Sequence, residues 1–521
     1  MTTPIYETSP PGDNTLPGQT GAGPALEPKP QTAADNGSAS PRNGTGSNGA
    51  PQVPQRNGRP VEPKPDALWH TPNREAWATV GGHHFPVQSS DFRHWLAGRF
   101  YECNGEPASG YKLDELVSAN AAEALFKGPE YRVHLRMARD GGTIWLDLAD
   151  AEGRAVRIDK DGWTVLPAGQ VTPKFSRPPN MRPLPEPLGG EADASLLRKL
   201  LNLSDENMFR LLLTWLSLAI VPDKPYPIVA VSGPAGAAKS SFAEFVRTTI
   251  DPSEVPLFGM PKRDDLPAFA KNNPVLCFDN LSTMGAYLAD KLCRLATGGG
   301  LGGRKFYTND GEATFNVRRP VLLTGINDVA TRGDLADRSI VVRLEKIPEA
   351  GRRTDAEVRE AFAQAHPRIL AALLDMVAMG LRRYEDVRQE RRRLPRMADF
   401  ALWGFAVAPA IRWSAEDFDR AYRANRNEAS EAAIEDDPIA PHILSFLERQ
   451  KEKSWQGTTD QLWTRIKEIA GEAARAMNFP QSSVALGRAL RRIEPALATR
   501  GVILERDRVA VGSRVSLRAT V

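Results

Sequence analysis

Gly233-Pro234-Ala235-Gly236-Ala237-Ala238-Lys239-Ser240 sets two glycines, a lysine and a hydroxyl at the spacing of a phosphate-binding loop. Glycines let successive backbone N–H groups wrap an anion, and a helix starting at the end of the loop adds its positive pole. Lys239 is placed to reach the β- and γ-phosphates of ATP, Ser240 to ligate Mg²⁺, and Ser241 continues the contact set. One position departs from the pattern: Ala238 stands where glycine is usual, and its methyl is tolerated as long as φ stays negative. A glycine-containing surface turn is the bland alternative, and it leaves the Lys239-Ser240 pair unexplained.

Three further segments carry groups suited to the same chemistry. The apolar run Val275–Phe278 ends in Asp279, a carboxylate able to hold Mg²⁺ through Ser240 or through water. The next residue is Asn280, where many ATPases carry a water-activating glutamate; an amide takes no proton. Either another carboxylate serves, Asp290 and Glu312 being candidates, or hydrolysis is slow. After the run Val321–Thr324 comes Asn327, placed to orient the attacking water or, on the plainer reading, to cap a turn. Arg338, directly before the run Ser339–Leu344, is placed to act as an arginine finger on a neighbouring subunit's γ-phosphate. Arg332 competes for that role, and a simple Asp337–Arg338 ion pair is the structural alternative. A finger of this kind implies a homo-oligomeric ring or another assembly with sites between subunits.

Positioning these groups requires strands that end where the chemistry begins. Pro227–Ser232, Val275–Phe278, Val321–Thr324 and Ser339–Leu344 are apolar runs separated by helical stretches, which predicts a parallel α/β sheet. Leu196–Leu200 and Met208–Ile220 read as helices leading into it, and a helical region follows from Asp355 to about Glu435. The expected fold class is α/β: a P-loop NTPase core with an N-terminal α+β domain, a helical segment and a C-terminal winged helix; by its motif order the core resembles the AAA+, superfamily 3-like ATPases.

This motif order resembles the superfamily 3 helicase ATPases, in particular the C-terminal ATPase half of phage, prophage and plasmid primase-helicases. The likeness rests on Gly233–Ser240, Phe278-Asp279-Asn280, Gly298–Lys305, Leu323–Asn327 and Leu335-Ala336-Asp337-Arg338, and covers roughly Ala194–Pro348. It implies an ATP-driven DNA helicase or translocase of mobile-element replication, working on single-stranded or forked DNA, with a primase or initiator as partner. In that family the segment between the second and third strands is a hairpin that grips single-stranded DNA; here it carries Arg304 and Lys305 after a glycine-rich stretch, then Phe306 and Tyr307. A glycine-rich turn is the alternative. No primase signature precedes the core. A reading from another class also stands: a non-translocating, ATP-dependent DNA-binding switch, an initiator or regulator, in which the missing glutamate is the point. A defence-type ATPase is a third.

The C-terminal region points to nucleic acid on its own. Ser482–Arg500 places Leu486, Leu490, Ile493 and Leu497 on one stripe, with Arg488, Arg491 and Arg492 off it. Pro495 is expected to kink or end that helix early. With Thr458–Ile469 as a preceding helix and a hairpin of Val502–Leu504 and Val509–Leu517 about Glu505–Arg508, the pattern is a winged helix. Residues 439–521 hold fourteen Lys and Arg against eight Asp and Glu, a net +6. Packing of the domain on the core, with its arginines as a solvated face, is the alternative.

The remaining expectations bound the chain. Residues 1–66 are one-third Pro plus Gly and read as a disordered tail; 67–177 form an α+β domain without an assigned role. Then come a Pro-rich linker at 178–192, the core at 193–350, helices at 351–435 and the basic domain at 436–521. Within 67–177, Arg93–Phe100 has helical spacing and Tyr131–Met137 and Thr143–Leu148 alternate like strands. His83-His84, Asp91 and His94 match no metal-ligand spacing, and Arg391-Arg392-Arg393 reads as a solvated helix surface. Cys103, Cys277 and Cys293 lie far apart, which excludes a disulfide framework and a cysteine-rich zinc site. The longest apolar run, Leu211–Val221, is broken by Thr214 and Ser217 and is too short for a bilayer, and no signal peptide is read. A reducing cytoplasm is the expected compartment. The overall formal charge of +3 across 521 residues argues little, because it averages unlike segments.

Overall fold

The computed structural model describes residues 60–262, 265–281, 284–299, 301–304, 312–315, 317–326, 333–391, 393–435, 437–476, 478–509 and 512–520. Residues 1–59, Lys305, Phe306, Tyr307, Asn327, Arg332 and Arg392 lie outside the described residues. Of the tail expected over 1–66, residues 60–66 are tied down. The Val61 N–H donates to Asn104 Oδ1 at 2.7 Å, and Glu62 pairs with Lys112 at 2.7 Å.

The N-terminal part opens with an antiparallel meander, β1 (Ala67–His70), β2 (Ala76–Val80) and β3 (His83–Pro86). Helices α1 (Ser90–Asn104) and α2 (Gly110–Phe126) follow, capped by the hydroxyls of Ser89 and Ser109. Phe92, Leu96, Leu116 and Val117 bury against Ala78 of the meander. A six-stranded sheet comes next: β4 (Val133–Leu135), β5 (Met137–Asp140), β6 (Thr143–Asp147), β7 (Ala155–Asp159), β8 (Gly162–Leu166) and β9 (Lys174–Ser176), in the order β8-β7-β6-β5-β4-β9.

The Pro-rich run at 178–187, expected as a linker, is pinned along its length. The Arg182 N–H donates to Pro252 O, the Leu184 N–H donates to Leu148 O, and Leu184 is buried. Beyond it, α3 (Ser195–Arg198) leads to α4 (Glu206–Ala219), capped by Asp205. From Met208 to Ala219 only Arg210 of α4 escapes full burial, as befits a helix apolar all round.

The central sheet holds β10 (Ile228–Ser232), β11 (Leu276–Leu281), β14 (Val321–Gly325) and β15 (Ser339–Arg343), all parallel, in the order β11-β14-β10-β15. Between these strands lie α5 (Lys239–Ile250), α6 (Leu266–Asn272), α7 (Ala286–Thr297), the antiparallel pair β12 (Leu301–Arg304) and β13 (Glu312–Phe315), and α8 (Gly333–Ala336). Alternate residues divide between two cores, as the two-residue strand period requires. Val229, Val231, Ile340 and Val342 face α4 and α5, while Ile228, Ala230, Leu323 and Val341 face α6 and α7. The first of these cores also takes in Ile144, Leu146, Val156 and Ile158 of the six-stranded sheet.

Helices α9 (Asp355–Glu390), α10 (Ala398–Val407) and α11 (Ala415–Glu435) complete that core. A Thr354–Glu357 capping box starts α9. Arg391 sits past its end, over the Phe405 ring at 4.4 Å, and Arg393 also lies outside any helix, so neither belongs to the solvated helix surface expected here. The C-terminal part comprises α12 (Ala440–Glu448), β16 (Ser454–Thr458), α13 (Thr459–Ala470), α14 (Ser483–Thr499), β17 (Val502–Val509) and β18 (Gly512–Ala519). Two expectations are corrected here. Pro495 does not end α14, because Ile493 and Leu497 on either side of it are buried in the core. The hairpin does not turn at Glu505–Arg508: these residues continue β17, paired to β18 from Val502↔Ala519 to Val509↔Gly512. Their charges lie along an alternating strand, which mimics a turn in composition alone.

Candidate functional site

Three side chains, those of Ser240, Asp279 and Thr324, gather where the parallel strands end. The chain leaves β10 at Ser232, loops through 233–238 and enters α5 at Lys239. Gly233 is obligatory: a Cβ there would stand 2.5 Å from Leu344 O. Gly236 has φ +81°, the left-handed region that favours glycine. The back of the loop is held by the Ile347 N–H donating to Gly236 O and by Asn202 Nδ2 donating to Ala237 O at 3.2 Å. Ala238 adopts φ +60°, ψ +36°, so the negative φ that would make its methyl free of strain is not met. It keeps the glycine-type conformation of the loop and carries a methyl in it, at a cost of roughly 1 kcal/mol. The Lys239 ammonium donates to Gly233 O at 2.7 Å and Pro234 O at 2.9 Å, across the mouth of the loop.

Asp279 follows Phe278, the last residue of the regular β11–β14 ladder before its register shifts. Ser240 Oγ donates to its Oδ2 at 2.8 Å, and Thr324 Oγ1 donates to its Oδ1. The Asn280 N–H donates in turn to Thr324 Oγ1 at 2.9 Å. Asn280 has φ +57° within a bulge that shifts the register between Phe278 and Leu281. Asparagine takes this conformation more readily than glutamate does, so the backbone itself favours an amide here. Beneath the carboxylate, burial pushes the Cys277 thiol up to about 12, which leaves it a passive core group.

Arg338 sits at the other end of the sheet. Its carbonyl accepts from the Ile228 N–H at the start of β10, and its guanidinium donates to Asp334 O at 2.7 Å. Four strand rises, about 13 Å, separate that edge from Ser232. Arg338 therefore does not belong to the cluster around Asp279. Nor is it paired with Asp337, whose carboxylate binds Arg426 at 2.6 Å and Arg396 at 3.0 Å. One residue joins the cluster without a signal in the sequence: Thr324, the single polar side chain of an apolar strand. Beside the loop stands Arg352, whose Nη2 lies 3.9 Å from where a Gly236 Cβ would be.

The predicted nucleic-acid contacts divide. Arg488 and Arg491 are exposed on α14 and, with Thr459, Ser483 and Arg506, line a groove of about 760 Å³ between α14 and the β17–β18 hairpin. Arg492 is not part of it: its guanidinium binds the buried Asp437 carboxylate at 2.7 Å, tying α14 to the start of α12. Arg304 closes β12 opposite Glu312, so the expected hairpin is present as a ladder, and Lys305 lies outside the described residues.

Among the described residues no cluster of His, Cys, Asp and Glu could hold a metal by itself, and no helix is long and apolar enough to cross a membrane. Residues 194–430 match the family model described as actinomycete integrative conjugative element replication protein, and residues 439–520 match the AICE RepA C-terminal domain. No curated protein matches the chain. Among solved structures, the apo A form of the NrS-1 C-terminal region is similar at 12% identity and a TM-score of 0.40, over 87% of this chain and 96% of that one. Another apo A form of that region, spanning 305–718, is similar at 11% identity and a TM-score of 0.36 with the same coverage.

Proposed function

We propose that this chain, which belongs over residues 194–430 and 439–520 to the replication proteins of actinomycete integrative conjugative elements, is an ATP-driven DNA translocase or helicase of that element's replication. The observation that carries the reading is the convergence of Ser240 on Asp279 behind a glycine loop that feeds a helix N-terminus. It occurs at the carboxyl ends of parallel strands, beside the point where the chain crosses from one side of β10 to the other, which is where open α/β sheets bind ligands.

In this reading the loop N–H groups and Lys239 cradle the ATP phosphates, and Ser240 with Asp279 would hold Mg²⁺. The donor set suits it: hard oxygens and few protein ligands, leaving positions for phosphate and water. The ion would neutralise phosphate charge. Thr324 fixes the Asp279 carboxylate, and Arg352 stands beside the loop. Arg338, remote from its own chain's loop, acts on a neighbour's γ-phosphate in a ring. The C-terminal part serves as a winged helix whose Arg488 and Arg491 contact DNA phosphates, with Arg304 at the end of β12 and Lys305, its neighbour in sequence, as the strand-gripping pair. Unwinding of a forked duplex by the wild type with ATP, and its loss in Lys239→Ala, tests this reading.

One observation favours a second reading. Asn280 is built into its bulge as an amide and offers no general base, which suits a DNA-binding switch driven by ATP binding alone. Tight ATP binding without turnover would decide for it.

A further inference from the structure

A second concave site lies far from the loop in sequence. A cavity of about 450 Å³ opens between the β2–β3 turn, the 168–171 segment and β9, within the roughly 300–1,000 Å³ range of small-molecule sites. Its ionisable wall consists of His83, His84, Lys174 and Arg177, with no Asp or Glu among the lining residues. Gly82 and Gly153, both at positive φ, bring the wall close to Ala168; a Cβ on either would come within 3.1 and 3.0 Å of the Ala168 Cβ.

The hydrogen bonds around this wall set the direction in which its groups point their protons. Arg177 grips Asp147 with two nitrogens, at 2.9 and 2.5 Å, and donates through Nη1 to His83 Nδ1 at 3.1 Å. Arginine only donates, so His83 Nδ1 accepts and its Nε2 carries the proton. The Trp69 indole N–H donates to Thr79 Oγ1 at 3.0 Å, and that hydroxyl shares a hydrogen bond of 2.9 Å with His84 Nδ1, which occupies Nδ1 and leaves Nε2 as the free ring nitrogen of His84. Burial first, then the charges of Lys174 and Arg177, holds His84 neutral, with a pKa of about 3. Lys174 has no carboxylate within ion-pair distance among the described residues; its ammonium stands 5.3 Å from the centre of the Tyr131 ring, and burial lowers its pKa.

We propose that this cavity is a phosphomonoester site, in which Lys174 supplies the charge and the His83 Nε2–H supplies a neutral donor, with the neutral His84 ring beside it. A cation is disfavoured, because both Nδ1 atoms are engaged and the remaining charge is positive. A carboxylate would use fewer of the donors than the terminal oxygens of a phosphate. The chemistry is that of a mononucleotide or of the 5′-phosphate of a nucleic-acid strand. The site is independent of the loop at 233–240.

Calorimetric titration of the full-length Lys239→Ala protein, in which the loop does not compete, tests the proposal. The titrants are inorganic phosphate, a nucleoside 5′-monophosphate and a short single strand with either a 5′-phosphate or a 5′-hydroxyl. Phosphate-dependent binding is expected, weakened about tenfold or more by Lys174→Met and kept within about threefold by Lys174→Arg. Gly169→Leu should block it equally, since a Cβ at Gly169 meets nothing within 4 Å and the side chain enters open space; this variant decides the matter if Lys174→Met does not fold. Preference for the 5′-phosphorylated strand assigns the site to strand ends, and mononucleotide binding without strand preference assigns it to free nucleotides. Absence of phosphate-dependent binding, or affinity unchanged by both Lys174→Met and Gly169→Leu, overturns it.

Discussion

Thr324 and Asp279 stand side by side on adjacent parallel strands, and the threonine hydroxyl donates to Asp279 Oδ1 while accepting from the Asn280 N–H. One hydroxyl thus fixes the carboxylate facing Ser240 and satisfies the backbone of the bulge. Thr324→Val removes both bonds and leaves a part-buried N–H unpaired, which costs about 1–3 kcal/mol. Urea unfolding should show the loss, with Thr324→Ser restoring most of it. Equal stability of Thr324→Val and wild type would contradict this role.

Ala238 pays for a left-handed backbone that glycine adopts freely. Ala238→Gly should raise the thermal midpoint, by an amount worth about 1 kcal/mol, with ATP affinity kept or improved. A lowered midpoint would show that the methyl is compensated by packing.

Arg338 and the loop of its own chain occupy opposite ends of β10, so the proposed finger acts only between subunits. Arg338→Ala should cut ATP turnover by roughly 10³-fold and leave ATP affinity within about threefold. Mixing Arg338→Ala with Lys239→Ala should restore part of the turnover, because one variant supplies the intact loop and the other the arginine. Failure of the mixture to recover turnover would reduce Arg338 to its bond with the Asp334 carbonyl.

His366 joins α9 to the helix that follows the loop: its Nε2–H donates to Thr249 O at 3.0 Å, and its ring packs 4.9 Å from that of Phe362. Burial first, and the charge of Arg136 after it, lowers its pKa from 6.5 to about 4, while the bond to Thr249 opposes the shift. The unfolded chain therefore binds the proton more readily. The stability contributed is complete above about pH 6.5 and falls as the pH drops towards 4, by up to about 3 kcal/mol. Denaturant melts across that window should show the decline, and His366→Phe should flatten it. An unchanged slope in His366→Phe would assign the decline to other groups.

The parts of the site legible in the sequence are those carried by contiguous residues. The apolar run into Gly233–Ser240 and the run ending in Asp279 announce themselves locally, through period, glycine and charge. Thr324 does not, because its role exists only once β14 is inserted between β11 and β10 in register, Phe278 opposite Leu323. Arg492 looks like Arg488 and Arg491 in sequence; its partner, Asp437, lies on another helix's cap. The strand β16 was silent for a related reason. Ser454–Thr458 is polar and contains a glycine, and it is a strand because β18, some sixty residues later, offers it an edge. The φ of Ala238 is not legible in the sequence, because alanine by type favours a negative φ and the turn from Gly236 into α5 holds this position left-handed.

Steady-state ATP hydrolysis by the full-length protein, with and without single-stranded DNA, tests the central claim most directly. Turnover stimulated by the strand and abolished by Lys239→Ala is the predicted result. Tight ATP binding with no turnover, in the presence or absence of DNA, would contradict a motor.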